Sequence, residues 1–142
     1  MAKQEAQLEA WASQANEWGA DIIAQIPDEE LFLVSSNSGG SRQASALYAE
    51  WPKYYYWSQK IYLHPDGPRT TAEVADDLDV WLQSEGWVRN EAREMPPMRH
   101  AFDRSYYRDS YAMTVTVHTE PPPMAQWITF SISTPITDPD RD

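Results

Sequence analysis

Apolar side chains recur along this chain in two periods, and the switch between them outlines the fold. From about Lys3 to Ile26 the apolar positions Leu8, Trp11, Ala15, Trp18, Ile22 and Ile26 are three or four residues apart. That spacing puts them on one stripe of a helix. Gln4, Glu5, Glu9, Asn16, Glu17 and Asp21 lie largely off the stripe. Gly19 weakens the helix by ~1 kcal/mol against Ala. Pro27 ends it, because the residue before a proline is pushed toward extended backbone.

Leu31 to Val34 is a short apolar run that predicts a strand. Ser35 to Ser41, with paired glycines at Gly39 and Gly40, predicts a flexible loop. Residues 41–50 fit either one helical turn through Ala44, Leu47 and Tyr48 or a strand leading to Trp51. From Tyr54 to Leu63 the period is two. Tyr55, Trp57, Ile61 and Leu63 share one face; Tyr54, Tyr56, Ser58, Lys60 and Tyr62 share the other. The face carrying Ile61 and Leu63 is expected inward. His64-Pro65-Asp66-Gly67-Pro68 is turn chemistry.

A second helix follows with full punctuation. Thr70 and Glu73 have capping-box spacing. Val74, Leu78, Trp81 and Leu82 form its apolar stripe. Gly86 suits the left-handed position past its end, and Trp87 falls where a Schellman exit places a contact with Leu82. Trp87 to Glu91 and Ala101 to Tyr107 read as strands, separated by the break at Met95-Pro96-Pro97. A turn is expected near Arg108-Asp109-Ser110. Tyr111, Met113, Val115 and Val117 then alternate with Ala112, Thr114, Thr116 and His118. Trp127 to Ser133 alternates again, with Ile128, Phe130 and Ile132 inward. Residues 136–142 read as a frayed tail.

The expectation is one α+β domain over residues 1–142, of order α-β-β-α-β-β-β. Short connections favour antiparallel pairing. About five strands would form an antiparallel sheet, with two amphipathic helices packed on one face.

Composition narrows the functional classes. With 142 residues the chain can bury roughly 68–70% of its unfolded surface, enough for a core without staples. A net charge of −11 repels phosphate backbones and anionic lipid, so nucleic acid is excluded as a partner. The absence of cysteine excludes a disulfide framework, a zinc–thiolate site and a thiol nucleophile. No apolar run reaches the ~18 residues of a transmembrane helix. The first residues, MAKQEAQLEAW, lack a basic segment followed by an apolar run, and so do not read as a signal peptide.

The chain resembles small secreted and lipid-anchored actinobacterial proteins. The resemblance rests on a first helix ending in Ile26-Pro27 and a strand rich in Tyr and Trp. It also rests on a second helix closing on Gly86-Trp87 and a last strand ending Ser133-Thr134-Pro135. Members often carry cysteines near the Trp-rich strand and the C-terminal end; this chain has none. The resemblance implies a location in the cell envelope or outside the cell, with a targeting segment removed and a lipid-bearing cysteine upstream of residue 1. Without such a segment, the chain reads as cytoplasmic. Members have no established activity, so the resemblance implies no chemistry.

The candidate sites come from the residues. Tyr54, Tyr56 and Tyr62 would form an outward aromatic stripe, with Trp51 nearby in sequence. It would take a glycan, a small ligand or a partner protein through apolar ring faces and polar tips; burial under the first helix is the alternative. Arg104 and Arg108, if they share a face with Tyr106, would form an anion site; pairing with Asp103, Asp109 or the acidic helix is the plainer account. Glu73, Asp76, Asp77 and Asp79 lie on a helix without the looped spacing of a calcium site. His64, His100 and His118 have no metal-ligand spacing, and no G-x-S-x-G elbow is present. A catalytic pair such as His118 with Asp103 would have to converge in space. No cofactor is expected. The leading expectation is a non-enzymatic binding or interaction domain at a bacterial cell surface, with an aromatic ligand face as its alternative.

Overall fold

The computed structural model describes residues 2–35, 38–43, 53–121, 123–124 and 126–137. Trp51, residues 44–50 and the end of the tail from residue 138 lie outside the described residues. The elements run α1 (Ala2–Ala24), β1 (Leu31–Val34), β2 (Ser38–Gln43), β3 (Lys53–Leu63), α2 (Thr71–Ser84), β4 (Val88–Arg89), β5 (Ala101–Arg108), β6 (Tyr111–His118) and β7 (Gln126–Ser133). All strands join one antiparallel sheet of order β1-β3-β7-β6-β5-β4, with β2 also on β3. The fold is α+β with both helices on one face, and among the described residues the sheet has seven strands rather than about five.

Two edge strands differ from expectation, for separate reasons. Ser38–Gln43, expected as a flexible loop up to Ser41 and as either a helical turn or a strand beyond it, pairs along Lys53–Ser58 on the same edge of β3 that β1 borders at Ile61–Leu63. Together β1 and β2 form one bulged edge strand. Ser35 sits at its break, where its hydroxyl donates to the Lys60 carbonyl at 2.8 Å and its N–H to the same carbonyl at 3.0 Å. Gly39 lets the Tyr55 hydroxyl lie against the backbone there, where a Cβ would push the hydroxyl aside. β4 is the two-residue remnant of the strand expected over 87–91; a short 3-10 turn at Glu91–Arg93 ends it.

The inward face of the sheet carries Trp57, Ile61, Leu63, Met113, Val115, Val117, Ile128, Phe130 and Ile132, all buried. α1 crosses β3 at Gly19, which lies on the Trp57 indole; any Cβ at that position would collide with the ring. Trp18 beside it meets Trp87 and Tyr111 edge-on, at centroid distances of 5.2 and 4.8 Å. α2 buries Thr71, Val74, Ala75, Leu78 and Leu82. Trp81 is only partly buried at the edge of that stripe, beside Gln25 and Ile26.

Both ends of α2 match their expected chemistry. The Thr70 hydroxyl accepts from the Glu73 N–H, and Glu73 accepts from the Thr70 N–H at 2.9 Å. At the exit Gly86 has φ +104°, Trp87 N–H donates to the Leu82 carbonyl at 3.0 Å and Gly86 N–H to Gln83 at 3.2 Å. That is the double bond pattern of a Schellman exit. The turn after β5 places Asp109 at φ 48° and Ser110 at φ 68°, the two left-handed residues of a type I′ hairpin.

The tail departs from expectation. Thr137 is buried, its N–H donates to the Lys53 carbonyl at 2.9 Å and its hydroxyl accepts from the Lys53 N–H at 2.9 Å. Thr134 brackets Tyr55 in the same way. Two threonines three residues apart thus extend the pairing of β3 beyond the end of β7, up to residue 137.

These contacts order the expected costs of substitution. Gly19→Ala overpacks the helix–sheet contact and should destabilise by ~1–3 kcal/mol. Gly86→Ala should cost at least ~1 kcal/mol, from backbone strain. Trp81→Ala should fall below the ~3–5 kcal/mol of a fully buried tryptophan, yet above the ~0.5–2 kcal/mol of the lost Thr70 cap. Urea midpoints of the four single variants check the order.

Candidate functional site

The two helices leave the opposite face of the sheet uncovered by either of them. Strand register arranges that face into cross-strand rows. The first row is Tyr62, Trp127, His118 and Ala101; the second is Lys60, Thr129, Thr116 and Asp103. The third is Ser58, Ser131, Thr114 and Ser105, and the fourth is Tyr56, Ser133, Ala112 and Tyr107. Rows on one face are ~7 Å apart along the strands, two residues of rise. The result is a floor of hydroxyls with rings at either end.

The floor is concave. Between Tyr56 of β3 and the segment carrying Asn90 and Arg93 lies a hollow of about 420 Å³, within the ~300–1,000 Å³ range of small-molecule sites. Its base includes Thr114, Thr116, Thr129, Ser131 and Ser133. Among the described residues none of these hydroxyls makes a hydrogen bond. Each hydroxyl offers one donor and two acceptor positions.

The first row is a polar-tipped aromatic cluster. His118 stacks on Trp127 with centroids 3.9 Å apart and planes 3° from parallel. Its Nε2 lies 2.7 Å from Glu120 Oε1. Lys60 Nζ stands 4.5 Å from the Trp127 ring centre and 4.9 Å from that of Tyr62.

Tyr54, Tyr56 and Tyr62 therefore have the outward parity expected of them, and each is half-buried. α1 packs on the other side of β3, against Trp57 and Tyr55. Tyr56 and Tyr62 stand at opposite ends of the floor, so the stripe is two separate walls rather than one platform. Trp51 lies outside the described residues.

Arg104 and Arg108 share the helix-covered face with Tyr106, and each has its own partner. Arg104 Nη2 donates to Asp76 Oδ1 at 2.6 Å, and Arg108 lies 4.5 Å from the Trp18 ring centre. The plainer of the two readings describes Arg104: it binds the acidic helix. The other acidic residues of α2 are engaged too. Asp77 takes Arg69 at 2.8 Å, and Asp79 accepts from the Tyr106 hydroxyl at 2.6 Å. Burial first, and then that carboxylate, push the Tyr106 phenol well above its ordinary range. Among the described residues no cluster of acids and histidines could hold a metal ion.

His118 and Asp103 occupy adjacent rows, but each is bonded elsewhere: His118 to Glu120, and Asp103 by accepting the Met95 N–H at 3.0 Å. The β5 edge of the hollow is braced by Glu94, which accepts from Arg89 at 2.8 and 2.9 Å and from the Ser105 N–H at 3.1 Å. Arg89 holds the Glu94 carboxyl below its ordinary pKa, partly offset by burial. Glu30 is lowered in the same way by Arg69, at 2.7 Å.

The sequence reading missed the hydroxyl floor. Its signal was present as Thr114 and Thr116 on the outward parity of β6, and Thr129, Ser131 and Ser133 on that of β7. Only the register shows that they are adjacent. Comparison of the chain with protein-family models, curated proteins and solved structures found no match.

Carboxyls lowered by folding stabilise the native state above their unfolded pKa, near 4.5. That stability is lost as pH falls through the lowered folded values. Urea midpoints should therefore drop below pH 4.5. Glu30→Gln with Glu94→Gln should lower stability at pH 7 by ~1–3 kcal/mol per site and flatten the acid slope.

Proposed function

We propose that this chain is a non-enzymatic binding domain that takes a neutral, hydroxyl-rich ligand of the glycan class on its open sheet face. The observation that carries the reading is the hollow of about 420 Å³, with its uncommitted serine and threonine hydroxyls. A sugar ring presents hydroxyls at its edges and C–H groups on its faces. The floor offers hydrogen bonds to the first; Tyr56 and Tyr107 offer ring surface to the second.

Charge supports a neutral ligand. The chain carries −11, so its field opposes anions at a distance. The base of the hollow is uncharged. Two of the carboxylates around it are already engaged, Glu94 by Arg89 and Asp103 by the Met95 N–H, and Arg93 stands exposed at the rim. Such carboxylates hold a surface in shape and are not poised for proton transfer.

Display at the cell envelope or outside the cell is part of the same proposal, since glycans are encountered there. The reading frame upstream of Met1 tests it: an apolar run ending in a lipid-attachment cysteine is the expected finding.

Binding is checked by NMR titration with methyl glycosides of glucose, galactose and mannose. At least one series should shift the amides of Thr114, Thr129 and Ser131. Thr114→Val and Ser131→Ala should each weaken binding by ~0.5–1.5 kcal/mol, one hydrogen bond apiece. Being outside the core, they should alter folding stability by less than ~0.5 kcal/mol. Shifts confined to the helix-covered face would overturn the assignment.

A further inference from the structure

The open face does not end at the hydroxyl floor. Beside β5 lies a second cleft of about 250 Å³, formed by Met95, Pro96, Met98, Ala101 and Phe102. Its lining is almost wholly apolar, and it meets the polar hollow at two shared residues, Asp103 and Thr116. Polar and apolar halves thus form one continuous surface across the end of the second row.

The cleft is anchored. Met98 N–H donates to the Ala101 carbonyl at 2.8 Å, and Met95 N–H to Asp103 Oδ1 at 3.0 Å. These bonds fix the backbone of the wall while the thioethers remain in solvent. Met95 is 70% exposed and Met98 76% exposed. Phe102 itself has inward parity and packs against the core, so the bare methionines beside it supply the exposed apolar surface, which water disfavours and a ligand would cover. Unbranched thioethers adapt to aliphatic or aromatic groups of varied outline. A second copy of the chain is a poor cover, because it would bring another −11 of charge to the same place.

Resting on the reading of the open face as a glycan site, we propose that its ligand is amphiphilic. A sugar head would occupy the hydroxyl floor. An apolar substituent, an alkyl, acyl or aryl group on the sugar, would pass over Thr116 and Asp103 into the Met95–Phe102 cleft. The class is that of substituted glycosides and glycolipid head regions rather than free sugars.

The test is calorimetric titration with methyl, butyl and hexyl glycosides of glucose, galactose and mannose, all below their micelle concentrations. In the series that binds, affinity should rise by up to roughly fourfold per methylene, the value of burying one CH₂ group. Met95→Gln with Met98→Gln should erase that increment and leave the methyl glycoside affinity unchanged. Thr114→Val should weaken all three homologues by the same factor. If a methyl glycoside binds and its homologues bind no tighter, the amphiphile inference falls and the glycan reading stands. If hexyl glycosides bind but Thr114→Val has no effect on them, the cleft is an isolated apolar site and the inference falls. If no series binds, both readings fall.

Discussion

The contact between Gly19 and Trp57 sets the geometry on which the rest of the molecule depends. A helix normally stands off a sheet by the length of the side chains between them. Here the helix backbone lies directly on the indole, because the residue facing it has no Cβ. Trp57 is buried to 1% exposure, and its Nε1 finds no partner among the described residues. An unbonded buried N–H costs on the order of 1–3 kcal/mol, which the ring's burial must offset. With α1 held this low on β3, Trp18 reaches Tyr111 on β6 and Trp87 at the exit of α2. One close approach therefore links the first helix, the centre of the sheet and the second helix.

A sheet covered by two helices on one side leaves its other side to different chemistry. Strand alternation carries this division into the sequence of every central strand. β6 buries Tyr111, Met113, Val115 and Val117 and turns Ala112, Thr114, Thr116 and His118 outward; β7 buries Ile128, Phe130 and Ile132 and turns Trp127, Thr129, Ser131 and Ser133 outward. The acidic residues of α2 lie on the helix-covered side of the sheet, where Arg104, Arg69 and Tyr106 take up Asp76, Asp77 and Asp79. Fixed charge thus brackets α2 to the molecule, while on the open face the hydroxyls lie between Lys60 and Asp103 at the ends of one row.

Local rules were legible in the sequence wherever one residue's chemistry decides one backbone feature. Thr70 with Glu73 and Gly86 with Trp87 marked both ends of α2 because caps are local bonds. The outward parity of Tyr54, Tyr56 and Tyr62 followed from the period of β3. β2 was illegible because Ser38-Gly39-Gly40-Ser41 has almost no strand propensity. It is held as an edge by pairing to β3, and Gly39 is there to admit Tyr55. The half-burial of Trp81 was likewise hidden, since a periodic stripe marks a direction and not a depth. The hydroxyl floor was the largest omission. Thr129 meets Thr116 and Ser131 meets Thr114 only through the β6–β7 register, a tertiary fact that neither strand contains alone.

If the open face is the binding site proposed above, that same register would let it select by hydroxyl spacing rather than by charge. Antiparallel neighbours place opposed hydroxyls ~4.5–5.5 Å apart at Cβ, and the next row follows ~7 Å along the strands. A rigid lattice of this kind recognises spacing between hydrogen-bonding groups, which distinguishes sugars that share the same composition. Flexible surface lysines or carboxylates would give attraction without that discrimination. The rings at either end limit where a ligand can lie, Tyr62 and Trp127 on one side and Tyr56 and Tyr107 on the other. The hydroxyls pointing up from β6 and β7 are positioned by Val115, Val117, Ile128 and Phe130 pointing down, each at 2% exposure or less. Core packing beneath the helices is therefore what holds the floor in register, and a cavity made there should loosen the site before it unfolds the protein.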